Sequence, residues 1–190
     1  MLIGGASGVG KTRLSYPLAR RFGVPIVEVD DIVEALQAMT TPEQQPALHH
    51  WATHPEAHEL PPEGILRLHL TVAESLAPAL AAVVANHLET DTPVIVEGDY
   101  LLPRFAVSAS FNGVPADGRV ASLFLHEPDE AQLVANFRGR EPDEGQQRGR
   151  ARVSKLFCDW LAAEAARRGV PVVQARPWAT LEERVLTVLR

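Results

Sequence analysis

The residues with the clearest chemical capacity stand at the beginning of the chain. Leu2-Ile3 runs into Gly4-Gly5-Ala6-Ser7-Gly8-Val9-Gly10-Lys11-Thr12, an apolar strand passing through a glycine-rich turn into a helix. Glycine accepts positive φ, so such a turn can wrap with successive amide N–H groups directed inward, reinforced by the positive end of the helix dipole. The matching chemistry is the holding of a phosphate chain. Gly5, Ala6, Ser7, Gly8, Val9 and Gly10 would supply main-chain donors, Lys11 a point charge for the outer phosphates, and Thr12 a hydroxyl for Mg²⁺. A glycine-rich turn can also cap a helix with no ligand. Four fixed positions, Gly5, Gly10, Lys11 and Thr12, in a strand-to-helix context favour the phosphate loop.

Two acidic groups follow apolar runs. Val29-Asp30-Asp31 ends one, with Asp31 expected as a helix N-cap. Val94-Ile95-Val96 leads into Glu97-Gly98-Asp99. Ligands of doubly wound sheets bind at the C-terminal edge of the strands, where both groups would lie. Mg²⁺ keeps several waters and takes few carboxylates, so Glu97 first and Asp99 second are candidates to hold it with Thr12. The alternative is a solvated turn at Gly98. Arg138, Arg140, Arg148, Arg150, Arg152 and Lys155 crowd one short stretch, whereas Arg67 is the only Lys or Arg from Phe22 to Pro103. Paired arginines on a closing lid would supply positive charge to a transferring phosphoryl group; a solvated helix face is the other reading of such a run.

The elements that must position these groups alternate. Strands are expected at Leu2-Ile3, Pro25 to Val29, Pro93 to Val96, Ala121 to Leu125 and Val170 to Val173, with helices over 11–21, 31–39, 62–87, 129–136, 150–168 and 180–189. That order predicts one α/β domain over 1–190, a doubly wound parallel five-stranded sheet with crossover helices. Pro78 interrupts the apolar stripe of 62–87 and is expected to kink it. The Pro-, Gln- and His-rich stretch from Thr40 to Pro61 is too long for a simple connector. Together with the following helix it is expected to form a helical substrate insertion at about 40–90, with the arginine-rich lid at about 137–150. His49, His50, His54 and His58 surround Trp51, but their spacing matches no zinc motif, so a loop contributing to an acceptor pocket is expected.

Bulk properties narrow the partners. The chain has 190 residues, 46% hydrophobic and 22% charged, with a formal net charge of −6. It offers no cationic field for nucleic acid or an anionic membrane, and no unbroken apolar run reaches about 18 residues. The single cysteine, Cys158, excludes an internal disulfide and is expected to be a buried apolar residue, in keeping with a cytoplasmic location. The N-terminus lacks the basic flank of a signal peptide. Only three residues precede Gly4, leaving open a short central strand or a natural start further upstream. Oligomeric state is not written in the sequence.

Taken in order along the whole chain, the phosphate loop, the Asp30-Asp31 pair, the Glu97-Gly98-Asp99 turn and the arginine-rich stretch resemble the small P-loop kinases related to adenylate kinase. The similarity is nearest to the chloramphenicol phosphotransferase, 2-phosphoglycerate kinase and zeta-toxin branches. That resemblance implies a nucleoside/nucleotide kinase-like P-loop NTPase fold and transfer of the γ-phosphate of ATP, with Mg²⁺, to a hydroxyl of a small molecule. It implies Asp30 as the base that accepts the hydroxyl proton, Arg138 near the adenine, Arg148 or Arg150 at the γ-phosphate, and backbone near Pro177 against the adenine. The scarcity of cations between 22 and 103 points to a neutral or cationic acceptor docking against Asp30, Asp31, Glu34 and the His/Trp segment. Alternatives are an ATPase or switch module engaging a protein and a zeta-toxin-like nucleotide-sugar kinase. No Asn-Lys-x-Asp base-reading motif occurs, so ATP is preferred to GTP.

Overall fold

The computed structural model describes residues 1–142 and 147–189. Segment 143–146, inside the stretch expected as a lid, lies outside the described residues. The chain opens with strand β1 (Leu2–Gly4), helix α1 (Lys11–Phe22), strand β2 (Ile26–Glu28) and helix α2 (Val29–Met39). A short helix α3 (His50–Thr53) and a 3-10 turn (Pro55–Glu59) precede the long helix α4 (Pro62–Glu89). Then come β3 (Ile95–Gly98), α5 (Pro103–Ala106), a small hairpin of β4 (Ser110–Phe111) and β5 (Val114–Pro115), and β6 (Ser122–His126). Helices α6 (Glu130–Arg140) and α7 (Arg148–Arg167), strand β7 (Val172–Gln174), a 3-10 turn (Trp178–Thr180) and α8 (Leu181–Val188) complete it.

The main sheet has five strands in the order β2-β3-β1-β6-β7, every pair parallel. Strands of such sheets are covered on both faces and therefore read as continuous apolar runs. Leu2, Ile3, Ile95, Val96, Leu123, Phe124 and Leu125 are accordingly all buried. Helix α1 packs on β1, β2 and β3 and against α8, whereas α7 packs on β6 and β7 and against α4. Central β1 is only three residues long but is paired on both sides, Gly4 opposite Gly98 and Phe124. Gly4 has no alternative residue here, since an added Cβ would lie 2.2 Å from the Phe124 ring.

One local expectation changes. Helix α2 begins at Val29, with Glu28 in the N-cap position, so Asp30 and Asp31 both sit in its first turn and Asp31 is not the cap. Val29, the first helical residue, is buried and packs closely beside Gly98, where an added Cβ would be 2.4 Å from the Val29 Cβ. Pro78 lies within α4 without ending it. Finally, α4 is 28 residues long, with a mean hydropathy of 1.6 over its most apolar stretch, long and apolar enough by composition to cross a bilayer. Counting unbroken apolar runs does not register this, because Arg67, His69, Glu74 and Pro78 divide them. In the fold α4 buries Leu66, Val72, Leu76, Leu80 and Val84 in the core and contacts α2, α7 and the β4–β5 hairpin.

Candidate active site

Strand order places the glycine-rich loop of residues 4–10, Asp30, Glu97 and Asp99 at one sheet edge, beyond the C-terminal ends of β1, β2 and β3. Gly8 (φ 75°) and Gly10 (φ 95°) both adopt the left-handed conformation that side chains rarely tolerate. Space forbids substitution as well: an added Cβ would lie 2.8 Å from the Phe137 ring at Gly8 and 2.3 Å from the Trp178 ring at Gly10. Asn136 Nδ2 donates to the Gly8 carbonyl at 2.8 Å, and the buried Ser154 hydroxyl donates to the Ser7 carbonyl. Helices α6 and α7 thus hold the loop from outside through its carbonyls. Gly10 caps α1 with no side-chain hydrogen bond to the cap among the described residues.

Lys11 Nζ donates to the Ala6 carbonyl at 3.3 Å and forms an ion pair with Asp99. Desolvation is the largest influence on its pKa and pulls it down, yet Asp99, Glu97 and Asp30 together outweigh that pull and leave the pKa raised. Lys11 is therefore held protonated, and Asp99 serves as its partner in this state of the protein. Register places Glu28 directly beside Glu97. Glu97 is 4% exposed, accepts from the Thr12 hydroxyl through Oε1 at 3.2 Å, and has a buried Oε2 with no hydrogen-bond partner among the described residues. Burial first, then the Glu28 charge, push its pKa up against the opposing pull of Lys11 and Thr12.

A Thr hydroxyl beside a carboxylate with an unpaired buried oxygen fits a hard divalent cation whose remaining ligands are phosphate oxygens and water. Among the described residues there is no cluster of three or more His, Cys, Asp or Glu side chains arranged to hold a metal by themselves. Asp30 is exposed on its outer side, but desolvation by the cleft and the neighbouring Asp99 charge push its pKa up.

These groups line a cleft of about 550 Å³ together with Arg13, Arg140, Arg150 and Trp178. The arginines expected near the nucleotide divide. Arg150 lines the cleft, its guanidinium 4.3 Å above the Phe137 ring and paired with Glu141. Arg140, which carried no individual assignment, lines it too and bonds Glu141 at 2.8 Å. Arg138 and Arg148 are exposed and do not line it. Pro177 follows a cis peptide and is exposed; its neighbour Trp178 lines the cleft, with the Arg13 guanidinium 4.9 Å over the indole. The segment is anchored by Arg176, whose Nε and Nη2 donate to the two oxygens of fully buried Glu127 at 2.7 and 2.9 Å.

A second cavity of about 700 Å³ adjoins the first, and Ser7, Asp99 and Arg150 line both. Its other walls include Trp51, His58, His69 and Phe157. The His/Trp segment therefore does reach a pocket, whereas Asp31 and Glu34, expected beside it, line neither cavity. Sequence reasoning missed Asn136, Ser154, Phe137 and Trp178 at the loop and His69 in the second cavity; Asp99, expected only as a metal candidate, also stands where the two cavities meet.

No protein-family model matches the chain. It is similar to the 2-phosphoglycerate kinase of Methanocaldococcus jannaschii, 23% identical over 179 residues, which cover 92% of this chain and 57% of that protein. It is also similar to the 2-phosphoglycerate kinase of Pyrococcus horikoshii, 27% identical over 210 residues, covering 100% of this chain and 62% of that protein. The chain thus spans about three fifths of the length of these curated relatives. Among solved structures, a gluconokinase from Sinorhizobium meliloti 1021 superposes with a TM-score of 0.56 at 20% identity, over 99% of this chain and 89% of that one. A shikimate kinase from Bacteroides thetaiotaomicron gives 0.55 at 17% identity, over 99% and 96%.

Proposed function

We propose that this chain, which has the fold of the small P-loop kinases, transfers the γ-phosphate of ATP to a hydroxyl of a small molecule. The observation that carries the proposal is the abutment of the two cavities across Ser7, Asp99 and Arg150: one is lined by the glycine-rich loop and Lys11, the other mainly by Trp51, Leu60, Pro62, Ile65, Val153 and Phe157. Phosphoryl transfer asks little covalent work of a protein; positioning and charge do most of it.

Gly5, Ala6, Ser7, Gly8, Val9 and Gly10 supply main-chain amides to the phosphates, and Lys11, kept protonated by its acidic neighbours, counters their charge. Lys11 exchanges its Asp99 partner for phosphate oxygens, which frees Asp99 at the boundary between the cavities. Thr12 and Glu97 would hold Mg²⁺, with Asp99 as a further candidate; the ion's contribution is to neutralise charge on the β- and γ-phosphates. Arg150, and beside it Arg140, would stabilise the transferring group. Asp30 accepts the proton of the attacking hydroxyl, and its raised pKa brings it nearer to a working base at neutral pH.

A second reading assigns the proton to Asp99, the one carboxylate among the described residues that lines both cavities. Turnover of ATP against a panel of hydroxyl compounds separates the two. Asp30→Asn is expected to keep Mg-ATP binding and lose roughly 10²- to 10⁴-fold in turnover. Full activity in that variant moves the base to Asp99. Cleft-lining arginines supplied by the chain itself support a kinase over a nucleotide switch, which more often receives that charge from a partner.

A further inference from the structure

Resting on the phosphotransferase reading above, we infer that the second cavity takes an uncharged alcohol with an aromatic or branched apolar body and disfavours phosphorylated acceptors. Its walls are mainly carbon: Trp51, Leu60, Pro62, Ile65, Val153 and Phe157. Their volume of about 700 Å³ lies in the range that encloses a ring-bearing organic molecule.

Charge excludes the alternative. A phosphomonoester would bring two negative charges next to Asp99, the cavity's one carboxylate among the described residues. Recognition of such a group calls for bidentate Arg or several Lys contacts. The cavity's only Arg or Lys among the described residues is Arg150, which it shares with the nucleotide cleft, where it stacks on Phe137 and pairs with Glu141. Arg67 and Arg104, the other cations of the acceptor half, do not line it, and Arg104 pairs with Glu74 at 3.0 Å. Any charge Arg150 provides is required on the γ-phosphate side during transfer. An acceptor phosphate would thus be desolvated without a dedicated clamp, a cost that an apolar body does not incur.

A buried polar group in the cavity wall can orient such a molecule. His69, on α4, lines the cavity within a ring cluster, its centroid 5.5 Å from Trp51, 5.7 Å from Phe157 and 6.0 Å from Tyr100. Its Nδ1 is buried with no hydrogen-bond partner among the described residues. Burial lowers its pKa, so the ring is neutral and can bond a second hydroxyl or a carbonyl of the ligand. Leaving that nitrogen unpaired is the type of deficit a bound ligand corrects.

The test is calorimetric titration of the intact chain in the presence of Mg-AMPPNP, with 1-phenyl-1,2-ethanediol and 2-phosphoglycerate as probes. The phenyl diol is expected to bind at least about tenfold tighter than 2-phosphoglycerate. Leu60→Asp, at an exposed wall position, and Ile65→Trp, which fills the cavity, should each weaken the phenyl diol about tenfold while AMPPNP binding is unchanged. His69→Phe should abolish the advantage of the diol over 2-phenylethanol. Equal or tighter binding of 2-phosphoglycerate, or no binding of the phenyl diol to protein that holds AMPPNP, overturns the inference. Binding of the phenyl diol without any binding of AMPPNP would overturn the kinase reading and leave the cavity's preference standing.

Discussion

Glu97→Gln removes a charge while preserving shape, and its effect should have opposite signs in the free and nucleotide-bound protein. In the free protein Glu97 is 4% exposed and one of its oxygens is unpaired among the described residues. A buried polar atom without a partner costs about 1–3 kcal/mol, and more when charged. Lys11 and Thr12 offset part of that cost, but the carboxyl pKa remains raised above its ordinary 4.5, so burial wins and the ionised form is the disfavoured one in the fold. For a carboxyl with a raised folded pKa, stability falls as pH climbs through the window between the unfolded and folded values. The glutamine variant escapes that loss. Allowing for the lost attraction to Lys11 and the amide's own unpaired group, the net gain near neutral pH is of the order of 1 kcal/mol, or about 2–4 °C in Tm for a chain of this size. Below the ordinary carboxylate range the gain should vanish, since Glu97 is then protonated in both states. With Mg-AMPPNP the order reverses: if the ion site weakens tenfold to a hundredfold, about 1.4–2.7 kcal/mol of ligand stabilisation is lost. Thermal denaturation with and without Mg-AMPPNP, near pH 7 and near pH 4, gives all four quantities. A lower Tm for the free variant at neutral pH would refute the burial argument, and an undiminished Mg-AMPPNP shift would refute the ion assignment.

The remaining expectations concern the base, the arginines and the loop. Because Asp30 must be deprotonated to act and its pKa is raised by desolvation and by Asp99, the acid limb of turnover should fall above the ordinary 3.8; Asp99→Asn, by removing a like charge, should move the limb down in whatever activity remains. Arg150→Ala should cost roughly 10²- to 10³-fold in turnover, whereas Arg138→Ala, at an exposed position outside both cavities, should cost little; steady-state kinetics compares the two directly. Gly10→Ala meets both a φ of 95° and the Trp178 ring, so it should destabilise the chain by about 1–3 kcal/mol and weaken nucleotide binding, with Trp178→Ala in the same chain restoring part of the stability but not all of it; chemical denaturation of the single and double variants measures this.

The sheet was legible because burial on both faces writes itself as β-branched and leucine-rich runs, and each of the five expected strands is present within two or three residues. The α2 boundary was not: Val29, its first residue, packs beside Gly98, a contact between residues far apart in sequence. Nor were β4 and β5 legible: Asn112-Gly113 between Phe111 and Val114 is a hairpin turn signal, but strands of two residues carry no alternation to flank it.

Lys11, Thr12 and Glu97 could be named from sequence because a phosphate loop fixes spacing along the chain and the end of a strand fixes position on an edge. Asn136 and Ser154 reach the same loop across separations of 128 and 147 residues, and nothing local marks them. The arginines expose the limit most directly. Their crowding announced positive charge near the nucleotide, but choosing among them requires helical phase. Phe137 is buried under Gly8, so Arg138 is turned by about 100° along α6 toward solvent, and the next arginine after it, Arg140, comes back to the cleft. On α7 two residues, about 200°, separate Arg148 from Arg150, and the buried Ala151, Ser154 and Cys158 decide which side faces the loop. Composition therefore gave the sign of the field at this edge, while the two packed helices chose the residues that deliver it.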